Sequence, residues 1–254
     1  MAIFLQHAVL GGANLLISGG TGCGKTTTLN VMGSLIPKDQ RVVTIEDTAE
    51  LQIQHPHVIR LEYRPPNVEG RGELTIRQLL RNSLRMRPDR IIVGEVRGAE
   101  ALEMLQAMNT GHDGSMSTIH ANSARDALTR LETMVLSAAI DLPLDAVRPQ
   151  IASAVDLIIH QARRPDGKRK IVQIAELLAY RDNEPLVRDI FLFDSSREPG
   201  RHRATGIKPG LLETLAQRGI HCPDNIFHGS TETLSGSSIA ASDMLNQPAG
   251  IDAT

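Results

Sequence analysis

The chain of 254 residues contains no tryptophan, and its aromatic residues are two tyrosines and four phenylalanines. Because proteins usually hold single-stranded nucleic acids on aromatic side chains, this scarcity argues against a base-stacking protein. Only two cysteines occur, Cys23 and Cys222, far apart in the sequence. This spacing argues against a disulfide scaffold and favours a reducing compartment. The formal net charge of −2 gives no global sign of a nucleic-acid or membrane-surface partner.

Long apolar runs are also missing. No run reaches the roughly 18 apolar residues that a membrane-spanning helix needs, so no transmembrane segment is predicted. Residues 1–24 carry no Lys, Arg, Asp or Glu. They nevertheless lack the positive start of a signal peptide, and their apolar part leads directly into a glycine-rich loop. The sequence therefore predicts a cytoplasmic location.

That glycine-rich loop separates an apolar run from an amphipathic segment. Residues 19–26 match G-x-x-x-x-G-K-[ST], the phosphate-binding loop. Its glycines let successive backbone N–H groups turn towards an anion, and the helix that follows adds its positive end. In such loops the lysine reaches the β- and γ-phosphates and the hydroxyl holds Mg²⁺, here Thr26. The predicted nucleotide-binding residues are Gly19, Gly20, Thr21, Gly22, Cys23, Gly24, Lys25, Thr26 and Thr27.

Cys23 lies inside this loop, at the start of the predicted helix. Such an environment favours the reactive thiolate, so we expect a thiol reagent to modify Cys23 faster than Cys222 and bound nucleotide to protect it. The alternative is a small residue that fills space in the loop.

Apolar patterns on both sides of the loop alternate between strands and helices. Strands are expected at 14–18, 41–45, 58–63, 90–93, 114–119, 156–160, 170–178 and 190–193. Helices are expected at 2–10, 25–35, 75–86, 99–108, 123–137, 144–154 and 209–218. This alternation predicts an α/β P-loop NTPase core with a mostly parallel central sheet. The core is expected at 1–140, a small C-terminal α/β extension at 141–228, and a disordered tail at 229–254.

Three carboxylates fall where predicted strands end. Glu46 and Glu50 belong to an acidic run after the second strand, and Glu95 follows an apolar strand and Gly94. Active groups of open α/β sheets gather at the carboxyl ends of strands, so each of the three could orient the attacking water. Glu46 could equally cap a turn. The chain lacks the Asn-Lys-x-Asp motif of GTPases and has no Leu-Ser-Gly-Gly-Gln signature of transporter ATPases before a strand.

Four blocks carry a family resemblance: residues 19–28, an acidic box at 45–51, a block at 84–98 and a histidine box at 110–122. In order and spacing they resemble the type II/type IV secretion ATPase superfamily, most closely the tight-adherence (Flp) pilus assembly ATPases. The resemblance covers residues 1–220. It implies a RecA-like motor that hydrolyses ATP with Mg²⁺. It also implies a hexameric ring, peripheral to the inner membrane, that works with a membrane platform protein.

The resemblance also implies roles for single residues. Glu50 is similar to the general base of the family, and Glu95 to the Walker B residue that acts on Mg²⁺ and water. His120 is similar to a histidine that touches the γ-phosphate, although a histidine in a buried strand is more often a satisfied core residue. Relatives of this type carry a further N-terminal domain. We expect it to be absent here, which would leave an open site and slow hydrolysis.

Arginines are the remaining candidates. Arg64, Arg71 and Arg97 lie on predicted loops near the acidic box and the third core strand, where they could contact the nucleotide of a neighbouring subunit. A second group, Arg77, Arg81 and Arg85, has the i, i+4, i+8 spacing of one helical face. A solvated face, a subunit interface and a nucleic-acid stripe all fit this second group.

The leading functional hypothesis is a motor ATPase of pilus assembly or protein secretion. The alternative is a RecA-type ATPase of a conjugation system that acts on nucleic acid. The small net charge and the few aromatic residues argue against direct nucleic-acid binding. A nucleotide-gated scaffold without catalysis is a third hypothesis.

Overall fold

The computed structural model describes residues 1–138, 142–196 and 199–228. The helices in these residues are α1 (Ala2–Leu10), α2 (Lys25–Ser34), α3 (Ile76–Ser83), α4 (Glu100–Asn109), α5 (Ala124–Ala138), α6 (Leu144–Ala154) and α7 (Leu211–Gln217). The strands are β1 (Leu15–Gly19), β2 (Val42–Glu46), β3 (Val58–Glu62), β4 (Arg90–Val96), β5 (Met116–Ile119), β6 (Leu157–Arg163), β7 (Arg169–Arg181), β8 (Glu184–Asp194) and β9 (Arg201–Ala204). A short 3-10 helix, Asp224–Phe227, follows α7.

The strands form one sheet in the order β3-β2-β4-β5-β1-β6-β7-β8-β9. Neighbours from β3 to β6 run parallel, whereas β6 to β9 pair antiparallel. All five residues of β1 are buried. Strands of a parallel sheet are covered on both faces, which explains the unbroken apolar sequence of β1. The predicted mostly parallel α/β sheet is therefore confirmed.

Helices cover both faces of this sheet. On one face, α3 to α6 enclose a core that includes Leu80, Leu105 and Leu131. On the other face, α1, α2 and α7 pack over a second core, in which three phenylalanine rings lie 5.4 to 5.9 Å apart between centroids. The two packed layers fix the carboxyl ends of the parallel strands, from which the loops of the candidate site emerge.

Several predicted strand ends were wrong. β4 continues to Val96, so Glu95 lies inside a strand and not after it, and the pairing of β4 with β5 shifts between Val93 and Val96. β8 begins at Glu184, earlier than the predicted start at 190, because cross-strand charge pairs such as Arg188 with Glu176 replace apolar alternation. β9 was not predicted, since three of its four residues are basic.

α3 begins as predicted and ends early. Thr75 caps it in a capping box with Gln78, which confirms the predicted threonine cap. The helix ends at Ser83 and not at 86, because Arg85 N and Met86 N donate to Asn82 O and Ser83 O, three residues back, so the chain tightens into turns before Pro88.

The predicted face of three arginines on one helix was wrong for the same reason, because Arg85 lies beyond the end of α3. Arg77 and Arg81 bind the same atom, Oε1 of Glu103 on α4, at 2.6 and 2.8 Å. The Glu103 side chain is only 3% exposed. These two arginines therefore join α3 to α4 within the chain.

None of the helices in the described residues is long and apolar enough to cross a bilayer. The predicted domain boundary at 140 falls on residues 139–141, and the predicted tail is residues 229–254; both lie outside the described residues. The strands of the predicted extension, β6 to β9, continue the sheet of the core.

Candidate functional site

Loops at the carboxyl ends of the parallel strands enclose a cleft of about 510 Å³. The glycine-rich loop after β1, the acidic run after β2, the end of β4 and the residue after β5 form its walls, together with the start of β7. The structure thus brings together segments that are distant in the sequence. The predicted site residues that line the cleft are Thr21, Gly22, Gly24, Lys25, Thr26, Thr27, Glu46, Glu50, Glu95, Arg97 and His120.

The glycine-rich loop has the backbone of an anion-binding turn. Gly22 and Gly24 have φ angles of 70° and 98°, in the left-handed region that residues with a Cβ rarely adopt. Gly24 is also the N-cap of α2, so the unpaired N–H groups of the first helical turn lie at the cleft. A left-handed turn that leads into a helix N-terminus favours bound phosphate.

Three predicted loop residues, Gly19, Gly20 and Cys23, do not line the cleft. Gly19 and Gly20 take part through their carbonyl oxygens, which accept hydrogen bonds from Lys25 Nζ at 3.1 and 3.2 Å. Cys23 is 2% exposed, and its Sγ lies 2.5 Å from the position that a Cβ on Gly19 would take. The thiol fills space under the loop, which favours the filler interpretation over a reactive thiolate.

A chain of polar contacts crosses the cleft from the loop to β4. Lys25 Nζ lies 3.4 Å from His120 Nδ1, and His120 Nε2 lies 3.3 Å from Glu95 Oε1. An ammonium group can only donate, so His120 Nδ1 is the acceptor in the contact with Lys25, and His120 Nε2 faces the Glu95 carboxylate. His120 is thus part of the cleft and not a residue of the apolar core, with 35% of its side chain exposed.

The acidic run after β2 is shaped by Glu46. Its carboxylate is buried, and Oε1 accepts hydrogen bonds from the backbone N–H groups of Glu50 at 3.0 Å and Leu51 at 2.8 Å. This is the turn-capping role that the sequence left open. The Glu50 side chain is exposed at the cleft wall. Glu46 therefore fixes the backbone that presents Glu50.

Of the three predicted loop arginines, Arg97 alone lines the cleft. Its guanidinium forms an ion pair with Asp47, and this hydrogen bond raises the pKa of Arg97 above its ordinary value. Arg64 donates to Gly72 O at 2.8 Å and so closes the exposed loop that carries Arg71. Within this chain, Arg64 and Arg71 lie away from the cleft.

Sequence reasoning missed Arg169, the first residue of β7. Its Nε donates to the carbonyl oxygen of Gly22 at 2.9 Å, although 147 positions separate the two residues. The run of cations at 163–170 is visible in the sequence. What the sequence did not reveal is that β6 pairs with β1 and carries this run to the glycine-rich loop. Thr118 was also missed; it donates to Gly94 O at 2.7 Å and ties β5 to β4 beside Glu95.

Oxygen donors for a divalent cation are present in the cleft. Thr26 and Glu95 both line it, and hydroxyl and carboxylate oxygens suit Mg²⁺. Among the described residues, no group of three or more His, Cys, Asp or Glu side chains could hold a metal ion. A pair of protein donors fits Mg²⁺, which keeps several waters and takes its other ligands from substrate phosphates.

The family model described as type II/IV secretion system protein matches residues 2–184. A VirB11 protein of the Bartonella henselae type IV secretion system is 38% identical over 175 residues, which are 67% of this chain and 48% of the relative. A putative conjugal transfer protein of Mycobacterium tuberculosis is 48% identical over 162 residues, or 64% of this chain and 46% of the relative.

Solved structures agree with these matches. The VirB11 ATPase of the Brucella suis type IV secretion system, crystallised with sulphate, aligns with a TM-score of 0.63 and 36% identity, over 68% of this chain and 51% of that one. The pilus retraction motor PilT with bound ADP aligns with a TM-score of 0.51 and 23% identity, over 86% of this chain and 54% of that one, and supports the fold alone. The predicted RecA-like fold is confirmed.

The chain spans about half the length of the curated relatives that it matches. The predicted closest resemblance of this chain, to the tight-adherence pilus assembly ATPases, stays a prediction. The match to the family model covers most of the chain, and the predicted superfamily is confirmed: this chain belongs to the type II/IV secretion system protein family.

Proposed function

We propose that this chain is the ATP-hydrolysing motor domain of a type IV secretion or pilus-assembly machine. One observation carries the proposal: a single cleft contains the phosphate-binding loop, the Lys25–His120–Glu95 contacts and the acidic run with Glu50. Phosphoryl transfer needs anion donors, a cation near the β- and γ-phosphates and a carboxylate beside the water. The described residues provide a candidate for each.

Binding of ATP follows from the loop and from Lys25. The N–H groups of the loop and of the first turn of α2 donate to the phosphates. Lys25 then exchanges the carbonyl oxygens of Gly19 and Gly20 for β- and γ-phosphate oxygens, which bear more charge. Thr26 and Glu95 would hold Mg²⁺, which offsets charge that develops on the phosphates.

Hydrolysis is assigned to the exposed carboxylate of Glu50 and the half-buried carboxylate of Glu95. Glu50 accepts the proton of the attacking water, and Glu95 orients that water and the cation. Glu46 acts as a positioning residue, because its carboxylate holds the Glu50 backbone. When Lys25 moves from His120 to the phosphates, His120 contacts the γ-phosphate. His120 therefore responds to loss of that phosphate.

Assembly is proposed from the family and from the names of the relatives. We propose a homo-hexameric ring at the cytoplasmic face of the inner membrane, bound to a platform protein of a pilus system of the tight-adherence type. Arg97 at the cleft, and Arg64 and Arg71 on their exposed loop, are the candidates for contact with a neighbouring subunit.

The experiment is a phosphate-release assay on the purified chain with ATP and Mg²⁺, with Lys25→Ala as the test variant. We expect slow but measurable hydrolysis by the parent chain, and loss of ATP binding and of hydrolysis in Lys25→Ala. Lys38→Ala removes an exposed lysine outside the cleft and should behave as the parent chain does. A parent chain that binds ATP without any phosphate release would support the nucleotide-gated scaffold. A parent chain that binds no nucleotide would reject both proposals.

The conjugation hypothesis remains the second candidate, because one of the relatives is named a putative conjugal transfer protein. That name describes the relative and does not indicate which molecule it contacts. A salt titration of single- and double-stranded DNA binding tests it, since contacts to phosphates weaken steeply with salt. We expect no affinity above that of a protein of similar net charge.

A further inference from the structure

The hairpin between β6 and β7 lies on the opposite side of the glycine-rich loop from the acidic residues. In the sheet order, β1 stands between β5 and β6, so the loop after β1 has β5, β4 and β2 on one side and β6 and β7 on the other. Glu95 and His120 belong to the first side, where the Lys25 ammonium points. Arg169 belongs to the second side, where its Nε donates to Gly22 O.

This arrangement gives a bound nucleotide a direction. In the proposed function, which this inference rests on, the γ-phosphate lies near Glu95 and His120. A triphosphate is a linear chain held along the loop, so its α-phosphate must leave the loop on the other side. Among the residues that the structure describes, Arg169 is the cation that lines the cleft on that side. We propose that Arg169 is a nucleotide-positioning residue that donates to the α-phosphate of ATP and ADP.

The hairpin holds Arg169 at a defined position. Arg163 and Arg169 are paired in register, Arg164 N donates to Lys168 O at 2.8 Å, and Gly167, with φ of 79°, closes the turn. The Arg169 side chain lies along the loop, with its Cδ 3.4 Å from the position that a Cβ on Gly24 would take. Of the Arg169 guanidinium nitrogens, Nε alone donates to Gly22. A guanidinium has further N–H donors in the same plane, and they remain for an anion beside the loop.

The contact predicts a distinctive pattern of affinities. The α-phosphate is present in ATP and in ADP and does not react, so an arginine bound to it stabilises both ligands alike. An arginine on the γ-phosphate would favour ATP over ADP. An arginine that merely shapes the loop would also change the affinity for a single anion bound by the N–H groups of the glycine-rich loop.

The experiment measures binding of ADP, of a non-hydrolysable ATP analogue and of inorganic sulfate by thermal-shift titration. We expect Arg169→Ala to weaken ADP and the analogue by the same factor, about tenfold, as for one charge-assisted hydrogen bond. Sulfate occupies the glycine-rich loop and has no α-phosphate. Its affinity for Arg169→Ala should therefore equal its affinity for the parent chain. Arg169→Lys should recover part of the loss, because it keeps the charge and not the planar fork.

Arg163→Ala is the matched control, since it removes the same charge from the paired position of the hairpin. It should leave all three affinities unchanged. Three outcomes would overturn the proposal. Arg169→Ala could lose affinity for sulfate and ADP equally, or lose affinity for the ATP analogue alone. Arg163→Ala could lower the affinities as much as Arg169→Ala does. These measurements need no turnover: a parent chain that binds ADP and hydrolyses nothing fails the proposed function while the test of Arg169 still gives its answer.

Discussion

Glu46 and Glu50 are neighbours in the acidic box, yet the fold gives their side chains different surroundings. Glu46 is buried against the backbone N–H groups of Glu50 and Leu51, whereas Glu50 is exposed at the cleft. A buried carboxylate whose Oε1 accepts from two backbone donors is well suited to fix a turn, whereas an exposed carboxylate in the cleft is free to contact water. The two carboxylates are therefore expected to respond differently to loss of charge.

At this residue scale we predict that Glu46→Gln keeps most of the hydrolysis rate, because the amide oxygen still accepts the two N–H groups. Glu46→Ala should lower the free energy of unfolding by about 1–3 kcal/mol and slow hydrolysis, since both donors lose their acceptor. Chemical denaturation and phosphate release measure the two effects. Glu62→Ala, at the β3 position paired with Glu46 and exposed, is the control. A loss of about 10²-fold or more in Glu46→Gln would instead make Glu46 the base.

At the scale of elements, the amino ends of β1 and β6 are joined by a half-buried carboxylate, that of Asp156. Asp156 accepts a hydrogen bond from Asn14 N at 2.7 Å, on the side of the sheet away from the cleft. Burial raises the pKa of Asp156 from its ordinary 3.8 to about 6, although the Asn14 hydrogen bond opposes this shift. A raised pKa means that the folded chain binds the proton more tightly than the unfolded chain does.

Protonated Asp156 therefore stabilises the folded chain relative to the unfolded chain. This stabilisation is complete below pH 3.8 and is lost as the pH rises through about 6. We therefore predict that Asp156→Asn, which keeps an acceptor for Asn14, is as stable as the parent chain near pH 4. At pH 7 it should be more stable, by at most about 3 kcal/mol. Denaturant unfolding at several pH values measures the difference. The exposed carboxylate in Asp39→Asn provides the control. A stability difference that does not change between pH 4 and 7 would contradict the shift.

The packing of the strands also explains which parts of the fold and of the candidate site could be predicted from the sequence. β1 and the glycine-rich loop were predictable because a fully buried parallel strand must be apolar and a phosphate nest needs glycine. The first half of β8 was not predictable, because a cross-strand charge pair with β7 takes the place of apolar alternation, and β9 was not, because three of its four residues are basic. Arg169 was out of reach because its role depends on the pairing of β6 with β1, which no local pattern encodes.

At the scale of the whole molecule, one sheet carries every part of the candidate site. The parallel half brings the phosphate loop, the acidic run, Glu95 and His120 to one edge, and the antiparallel half turns back to place Arg169 beside the loop. In the proposed mode of binding, the γ-phosphate lies on the side of Glu95 and the nucleoside on the side of Arg169, with the loop after β1 between them. The proposed mechanism depends on a base supplied by the acidic run, on the side of Glu95.

Single-turnover hydrolysis of ATP by Glu50→Gln, with ATP affinity determined in parallel, tests whether the acidic run supplies the base. We expect unchanged affinity for ATP and a hydrolysis step slowed by about 10²–10⁴, the usual contribution of a general base. Glu69→Gln, which changes an exposed glutamate on the loop at 65–72, should leave both quantities unchanged. Parent-like turnover in Glu50→Gln would contradict the account and move the role of the base to Glu95 or Glu46.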